Sequence, residues 1–193
     1  MQQKHLNKDS LSLIKSINES TTKLFKLNQG LLLISKIENQ VFHEKKIVSL
    51  KQIIVNGLDN YKEIMQLKKI TVEMDANDEA LVEMNDVLAE IMISNLLSNA
   101  VRFNIDGGFI KCHIDKMFLI LTNTGLALTI NPEDLFKRFH KNSSNPQSVG
   151  LGLSIVKKIA ETYGMQINYI CHDAIHVIKL QYRYKGNSPR AFL

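Results

Sequence analysis

The first forty residues carry apolar positions at a helical period. Leu13, Ile17, Leu24, Leu27, Leu31 and Ile34 recur at spacings of three, four and seven, and the step of seven spans the polar pair Ser20 and Thr21. The stretch 6–39 holds no Pro, and Gly30 is its only Gly. It predicts one helix of roughly 34 residues, about 50 Å long. A single small core cannot cover such a rod, so the stripe implies a partner helix, in an antiparallel hairpin or a dimer seam. No helix of similar length precedes it, and the expectation is a piece of a longer chain. Its exposed Leu and Ile predict self-association.

From residue 49 onward the period switches repeatedly. "SLKQIIVNGLDNYKEIMQL" (49–67) predicts a second helix with Ser49 as N-cap. "KKITVEM" and "ALVEM" alternate as strands around the polar turn "DAND". Asp86 opens a predicted helix over 86–103. "GGFIKCHI" and "MFLILTN" predict a hairpin around Asp115–Lys116. "NPEDLFKRF" predicts a short helix with Pro132 in its first turn, and "HKNSSNPQS" a loop. "VGLGLSIVKKIAETYG" reads as a Gly-rich turn entering a helix that Gly164 ends. "MQINYI" and "AIHVIKLQY" predict two closing strands, and "KGNSPRAFL" a tail. Setting the short helix aside, the order α-β-β-α-β-β-α-β-β predicts an α+β fold. It is a two-layer sandwich of three helices on one mixed, mainly antiparallel sheet, preceded by the long helix. The expected units are 1–48, 49–183 and a tail, 184–193.

Composition narrows the function more than the fold. The chain has 193 residues, 45% hydrophobic and 22% charged, ordinary values for a globular protein. No run of 18 apolar residues occurs, and the polar start "MQQKHLNKDS" is not a signal peptide, so a cytoplasmic location is expected. The net charge of +5 comes from scattered Lys residues without interleaved aromatics. That argues against nucleic acid and suits an anionic small ligand. Two cysteines, Cys112 and Cys171, stand far apart without a CxxC pattern, and reduced, buried thiols are expected.

Four stretches carry candidate chemistry. In "NLLSNAVRFN" the residues Asn95, Asn99 and Arg102–Phe103 share one helical face. Asn is a poor helix former, so these amides either satisfy backbone groups in the core or serve a ligand: Mg²⁺ through the amide oxygen, phosphate through Arg102. "LTNTGLAL" ends an apolar strand on Asn123, Thr124 and Gly125, which is either an ordinary turn or a group reading the edge of a base. "LFKRFHK" sets Phe136 and Phe139 around Lys137 and Arg138, and by itself reads as a short amphipathic helix. "GLGLS", Gly150 to Ser154, opens a helix whose free N–H groups suit phosphate; no Gly-Lys-Ser/Thr follows, so it is not a P-loop.

These four, in this order, resemble the ATP-binding catalytic domain of sensor histidine kinases over about residues 49–183. "NLLSNAVRF" looks like the N box, "NTGLA" the G1 box, "LFKRFHK" the F box and "VGLGLSIVKKIAE" the G2 box. Residues 12–42 resemble the second helix of the family's dimerisation and histidine-phosphotransfer hairpin. The resemblance implies the Bergerat fold, ATP and Mg²⁺ as ligands, transfer of the γ-phosphoryl to a His, and relay to a response regulator receiver domain. The intact protein would be a homodimer, soluble or the cytoplasmic part of a membrane-anchored sensor. Asn99 would coordinate Mg²⁺, with Asn95 in support. Arg102 would meet phosphate and Phe103 the adenosine. Asn123 and Gly125 would receive adenine, and Phe136 and Phe139 would belong to the site wall. Residues 140–149 would form a lid, with Lys141 or Arg138 reaching the γ-phosphate. Gly150, Leu151, Gly152 and Leu153 would supply its hinge and backbone N–H groups. Related ATPases place a Glu general base at the position of Asn95; an amide cannot take that proton, so Asn95 fits a kinase and not a hydrolase.

Two departures stand out. The family's G1 box is usually Asp-x-Gly-x-Gly, whereas this chain has Asn123 and Ala127. An amide oxygen still accepts but lacks the carboxylate's charge, so weaker nucleotide binding is expected. The phosphoacceptor His-Glu-like motif is missing: His5 and His43 have the wrong surroundings, and His172 and His176 lack the partners of a zinc site. The rival reading is a degenerate module that uses the fold for dimerisation and partner docking.

Overall fold

The structure, a computed structural model, describes residues 8–76, 79–140 and 150–183. Helix α1 (Lys8–Glu38) runs about 46 Å at 1.5 Å per residue. Residues 11–26 are exposed throughout, including Leu13, Ile17 and Leu24 of the predicted stripe. Only its last three turns are covered. Ile34 and Ile37 are buried, each worth about 1.5–3 kcal/mol of transfer free energy. Gly30 admits a close neighbour: a β-carbon there would lie 2.7 Å from Leu151 Cδ1.

Strand β1 (Lys46–Ser49), which the pattern does not predict, precedes helix α2 (Leu50–Asp59). Ser49 is the N-cap as expected, its hydroxyl accepting from Gln52 N at 3.1 Å. The predicted 49–67 helix is interrupted at Asn60–Tyr61. There the N–H groups bond three residues back, to Gly57 and Leu58, before helix α3 (Lys62–Leu67) resumes.

Strands β2 (Thr71–Ala76) and β3 (Leu81–Met84) do not pair with each other. β3 pairs antiparallel with β1 in a two-stranded ribbon. β2 joins β4 (Phe109–Ile114) in parallel, because helix α4 (Asp86–Arg102) intervenes as a crossover. α4 opens at Asp86 as expected, and Asn85 caps it: its Oδ1 accepts from Leu88 N at 3.2 Å, and its Nδ2 donates to Glu44 O at 3.1 Å.

β4 and β5 (Phe118–Thr124) form the predicted hairpin, closed by Asp115 Oδ1 accepting from Met117 N and Phe118 N at 2.7 Å each. A 3-10 helix, Pro132–Phe136, is capped by Asn131. Helix α5 (Gly152–Thr162) ends before Gly164, whose φ is +65°. β6 (Gln166–His172) and β7 (Ile175–Gln181) close through Asp173 and Ala174, both at positive φ, as a tight hairpin turn requires. The main sheet has the order β2-β4-β5-β7-β6. α2, α4 and α5 cover one face of the protein core, and α1 lies against α5. The other face of the sheet carries the Lys111–Glu73 ion pair and the His113–Asp75 hydrogen bond, each at 2.8 Å.

Candidate functional site

The asparagines around α4 divide their labour. Asn104, just past the helix, is structural. Its Nδ2 donates to Ala100 O (3.1 Å) and Phe109 O (3.0 Å), and its Oδ1 accepts from the Thr124 hydroxyl (2.6 Å). Thr124 Oγ1 in turn accepts from Phe109 N at 2.9 Å. This buried node ties the end of α4 to β4 and β5. It leaves no room at Gly108, where a β-carbon would run into both Asn104 Oδ1 and Thr124 Oγ1. Lys68, after α3, caps the same end: its Nζ donates to Asn104 O at 2.9 Å and Arg102 O at 3.3 Å.

Asn95 and Asn99 differ from Asn104. Asn95 is half-buried, and its Nδ2 donates back to Ile91 O at 2.8 Å. Its Oδ1 faces the start of α5, where a β-carbon on Gly152 would come within 2.8 Å. Asn99, one turn on, is half-buried and its side chain bonds to no described residue. Arg102 is exposed. Phe103, the C-cap of α4, is partly exposed at 36%.

The β5 turn meets this helix end. A β-carbon on Gly125 would lie 3.0 Å from Phe103 O. Asn123 is only 7% exposed; its Nδ2 donates to Thr124 O at 2.8 Å. Among the described residues its Oδ1 has no partner, and a buried unpaired acceptor is what an exocyclic amino group would satisfy.

The last residue of the 3-10 helix and the segment after it come next. Phe136 is buried against Tyr169, edge-on with ring centroids 6.4 Å apart, and Lys157 Nζ lies 5.8 Å from its ring. Phe139 is exposed and adopts φ +68°. Its N–H donates to Gly150 O at 2.8 Å, so residues 139 and 150 are held side by side. Gly150 has φ +73°, and a β-carbon there would lie 2.9 Å from both the Phe139 and the His140 backbone, so glycine is required.

The first turn of α5 is uncapped by any side chain and carries no acidic residue. Ile155 N is the first amide bonded within the helix, to Leu151 O at 2.9 Å, and Ser154 directs its hydroxyl to the same carbonyl. The preceding amides of Gly152, Leu153 and Ser154 are therefore helix N-terminal donors. The side chains of Leu151 and Leu153 are buried, so only their backbone is available to a ligand.

The start of α5 thus meets α4 at Asn95, the β5 turn meets it at Phe103, and Phe139 joins through Gly150, while two candidate residues stand apart. Lys141 lies outside the described residues. Arg138 points elsewhere: its Nη2 bonds Glu38 of α1 at 3.2 Å, and Lys158 approaches the same carboxylate at 3.4 Å. A cavity of about 350 Å³ lies on the opposite flank of α4, lined by Asn56, Tyr61, Glu90 and Ser94, apart from this face. Among the described residues no group of three or more His, Cys, Asp or Glu could hold a metal. Cys112 is buried, its thiol pushed up to about 12, and Cys171 is half-buried; both are free thiols. No described helix is long and apolar enough to cross a membrane.

The sequence reading assigned no role to Tyr169 or Asn104, grouped Thr124 with the base-reading candidates where it instead bonds Asn104 and Phe109, and weighed His176 only as a zinc ligand. His176 is buried, on the side of β7 that also carries Ile178 and Leu180. That period-2 alternation is the signal that marks it as inward.

Residues 84–183 match the family described as histidine kinase-, DNA gyrase B-, and HSP90-like ATPase. The chain is 31% identical over 152 residues to the sensor protein CutS of Streptomyces coelicolor, covering 74% of this chain and 36% of that protein. It is 29% identical over 162 residues to the sensor histidine kinase HprS of Escherichia coli, covering 78% and 34%. It therefore spans about a third of the length of these relatives. Its fold is similar to that of the Acinetobacter baumannii histidine kinase AdeS, with a TM-score of 0.68, 22% identity, and coverage of 91% of this chain and 85% of that one.

Proposed function

We infer, because this chain belongs to the family of histidine kinase-, DNA gyrase B-, and HSP90-like ATPases, that it is the ATP-binding catalytic part of a two-component sensor histidine kinase. The observation that carries the reading is the convergence at α4: Gly152 bare against Asn95, and Gly125 bare against Phe103.

Each group then has a task. Asn123 Oδ1, buried and unpaired, accepts from the adenine amino group. Phe103 flanks the adenosine, and Phe136 and Phe139 form the far wall. The amides of Gly152 and Leu153 hold phosphate at the positive end of α5. Arg102 adds charge, and Lys141 is the group assigned to the γ-phosphate in preference to Arg138, which Glu38 holds. Asn99 would hold Mg²⁺, which neutralises phosphate charge when bound. Asn95 has no basicity, so the site positions ATP without activating water. The acceptor is a His on a phosphotransfer helix, and the phosphoryl passes on to a receiver domain of a response regulator. Catalysis in this unit is positioning and charge neutralisation.

The division proposed is a phosphotransfer segment, 1–48, a catalytic unit, 49–183, and a tail, 184–193, with β1 straddling the first boundary. The exposed apolar residues of α1, such as Leu13, Ile17 and Leu24, suit a helical dimer seam. Calorimetric titration tests the reading. Mg²⁺-dependent ATP binding is expected, lost in Asn99→Ala without loss of thermal stability. No binding at millimolar ATP would overturn the reading and leave a docking module in its place.

A further inference from the structure

We propose that His176 is a positioning residue of the nucleotide site: bonded to both Leu126 and Tyr169, it locks the 123–126 turn to the Phe136 ring, and ATP binding requires its neutral form. This deepens, and rests on, the assignment of that turn to adenine.

His176 stands directly opposite Asn123 in the β5–β7 register and is 6% exposed. Its Nε2 lies 2.9 Å from Leu126 O, and its Nδ1 lies 2.8 Å from the Tyr169 hydroxyl. A carbonyl oxygen only accepts, so Nε2 carries the proton. Nδ1 is then the acceptor and Tyr169 the donor. One neutral tautomer satisfies every group. The ring also explains the glycine of the turn: a β-carbon on Gly125 would lie 2.6 Å from Nε2. Tyr169 extends the chain outward, edge-on to His176 at 6.0 Å and to Phe136 at 6.4 Å. A continuous path thus joins the aromatic wall, Phe136, to the carbonyl of Leu126, close to the buried amide of Asn123.

Protonation keeps the Nε2–H bond to Leu126 O but reverses the bond to Tyr169. Both ring nitrogens then donate, and the Tyr169 hydroxyl must turn to accept and finds a poorer place for its own proton. The surroundings offer no compensation. Tyr169 on β6 is itself held neutral by burial, and Cys171 faces His176 across the β6–β7 register. The His172–Asp173 pair at the hairpin turn is exposed and self-paired, and Lys157 sits beyond Phe136. No described carboxylate bonds to the ring. Burial accordingly pushes the His176 pKa below its ordinary value, outweighing the opposing bond to Leu126.

The test combines two readouts. ATP affinity is measured from pH 5.5 to 8 for the wild type and for His176→Gln, whose side chain cannot titrate; the ratio of the two cancels the titration of the nucleotide. The wild type is expected to weaken relative to the variant as pH falls, by up to about tenfold per pH unit. Imidazole nitrogen spectra of the wild type, with and without ATP, should show the Nε2–H tautomer at pH 7.5 and a lower ring pKa in the complex. A pH-independent ratio, an Nδ1–H tautomer, or an unchanged ring pKa overturns the proposal alone. A wild type that binds no ATP at any pH overturns it together with the nucleotide reading.

Discussion

The amide oxygen of Asn95 lies against the bare backbone of Gly152, so close that a β-carbon would sit 2.8 Å from it. Asn95 is anchored from the other side by its own Nδ2, which donates to Ile91 O. This contact is how α4 meets the start of α5. Gly152→Ala is therefore expected to separate stability from binding. Alanine suits the helical backbone at 152 and gains about 0.5–1 kcal/mol by restricting the unfolded chain. The methyl group displaces the Asn95 amide and offsets that gain. Thermal stability should stay close to wild type while ATP affinity falls about tenfold, or about 1.4 kcal/mol. Parallel melting curves and calorimetry check it; a variant with wild-type affinity would show that the Asn95–Gly152 contact does not shape the site.

Asn104 and Thr124 should behave as one unit. Asn104→Ala strands the Ala100 carbonyl and leaves the Thr124 hydroxyl and Phe109 carbonyl only their longer 3.4 Å bond to each other, at a cost of about 1–3 kcal/mol. Thr124→Val keeps the shape but strands the Phe109 amide, costing about 1–2 kcal/mol. Because the two share a bond, the double variant should lose less than the sum by at least about 0.5 kcal/mol. Urea denaturation of the four proteins measures the cycle, and strict additivity would contradict the node.

Much of this was legible because period and punctuation are local. The hairpin at Asp115, the cap at Ser49, the stop at Gly164 and the turn at Gly150 follow from residue type and spacing. So does the grouping of Asn95 with Asn99 on one face. What escaped was set by distant partners. β1 is four residues long and is a strand only because β3 lies beside it. The 71–76 and 81–84 strands read as neighbours. The partner of the first is instead β4, on the far side of the whole α4 helix, with Thr71 opposite Phe109 and Ala76 opposite Ile114. Asn104 looked like its helical neighbours, yet it is satisfied by β4 and β5, which no spacing within the helix reveals. Arg138 matched a basic role in the F box, and Glu38, a hundred residues earlier, claims it.

Lys68 offers a test of helix-end electrostatics. Its ammonium sits among the last carbonyls of α4, where the negative end of the helix dipole favours a cation. Lys68→Met keeps much of the stem and removes the charge. The expected loss is about 0.5–1 kcal/mol, reduced by added salt. Amide hydrogen exchange should quicken in the last turn of α4, around Val101 and Arg102, before it changes elsewhere. Uniform acceleration across the chain would mean that the lysine supports the whole fold and not this helix end.

Acid should unfold the protein in two stages. His176 has a folded pKa below its ordinary 6.5, so the neutral ring contributes stability that is complete above that value. That contribution is lost as pH falls through the lower, folded value, because the unfolded chain binds the proton first. Asp115 has a carboxyl held below its ordinary 3.8, chiefly by the Met117 amide, which with the lesser help of Phe118 outweighs the opposing effect of burial. Its contribution is present above 3.8 and disappears only as pH drops through its own depressed value. Asp86, held down by Lys46, and Asp134, held down by Lys137, follow the same sign. Chemical denaturation across pH 3–8 should therefore show a first decline beginning near 6.5 and a second below about 4. His176→Gln should abolish the first and leave the second. Asp115→Asn, which still accepts hydrogen bonds, should soften the second and leave the first. A single decline confined to the carboxylate range would mean that the His176 ring takes up its proton as readily in the folded chain as in the unfolded one.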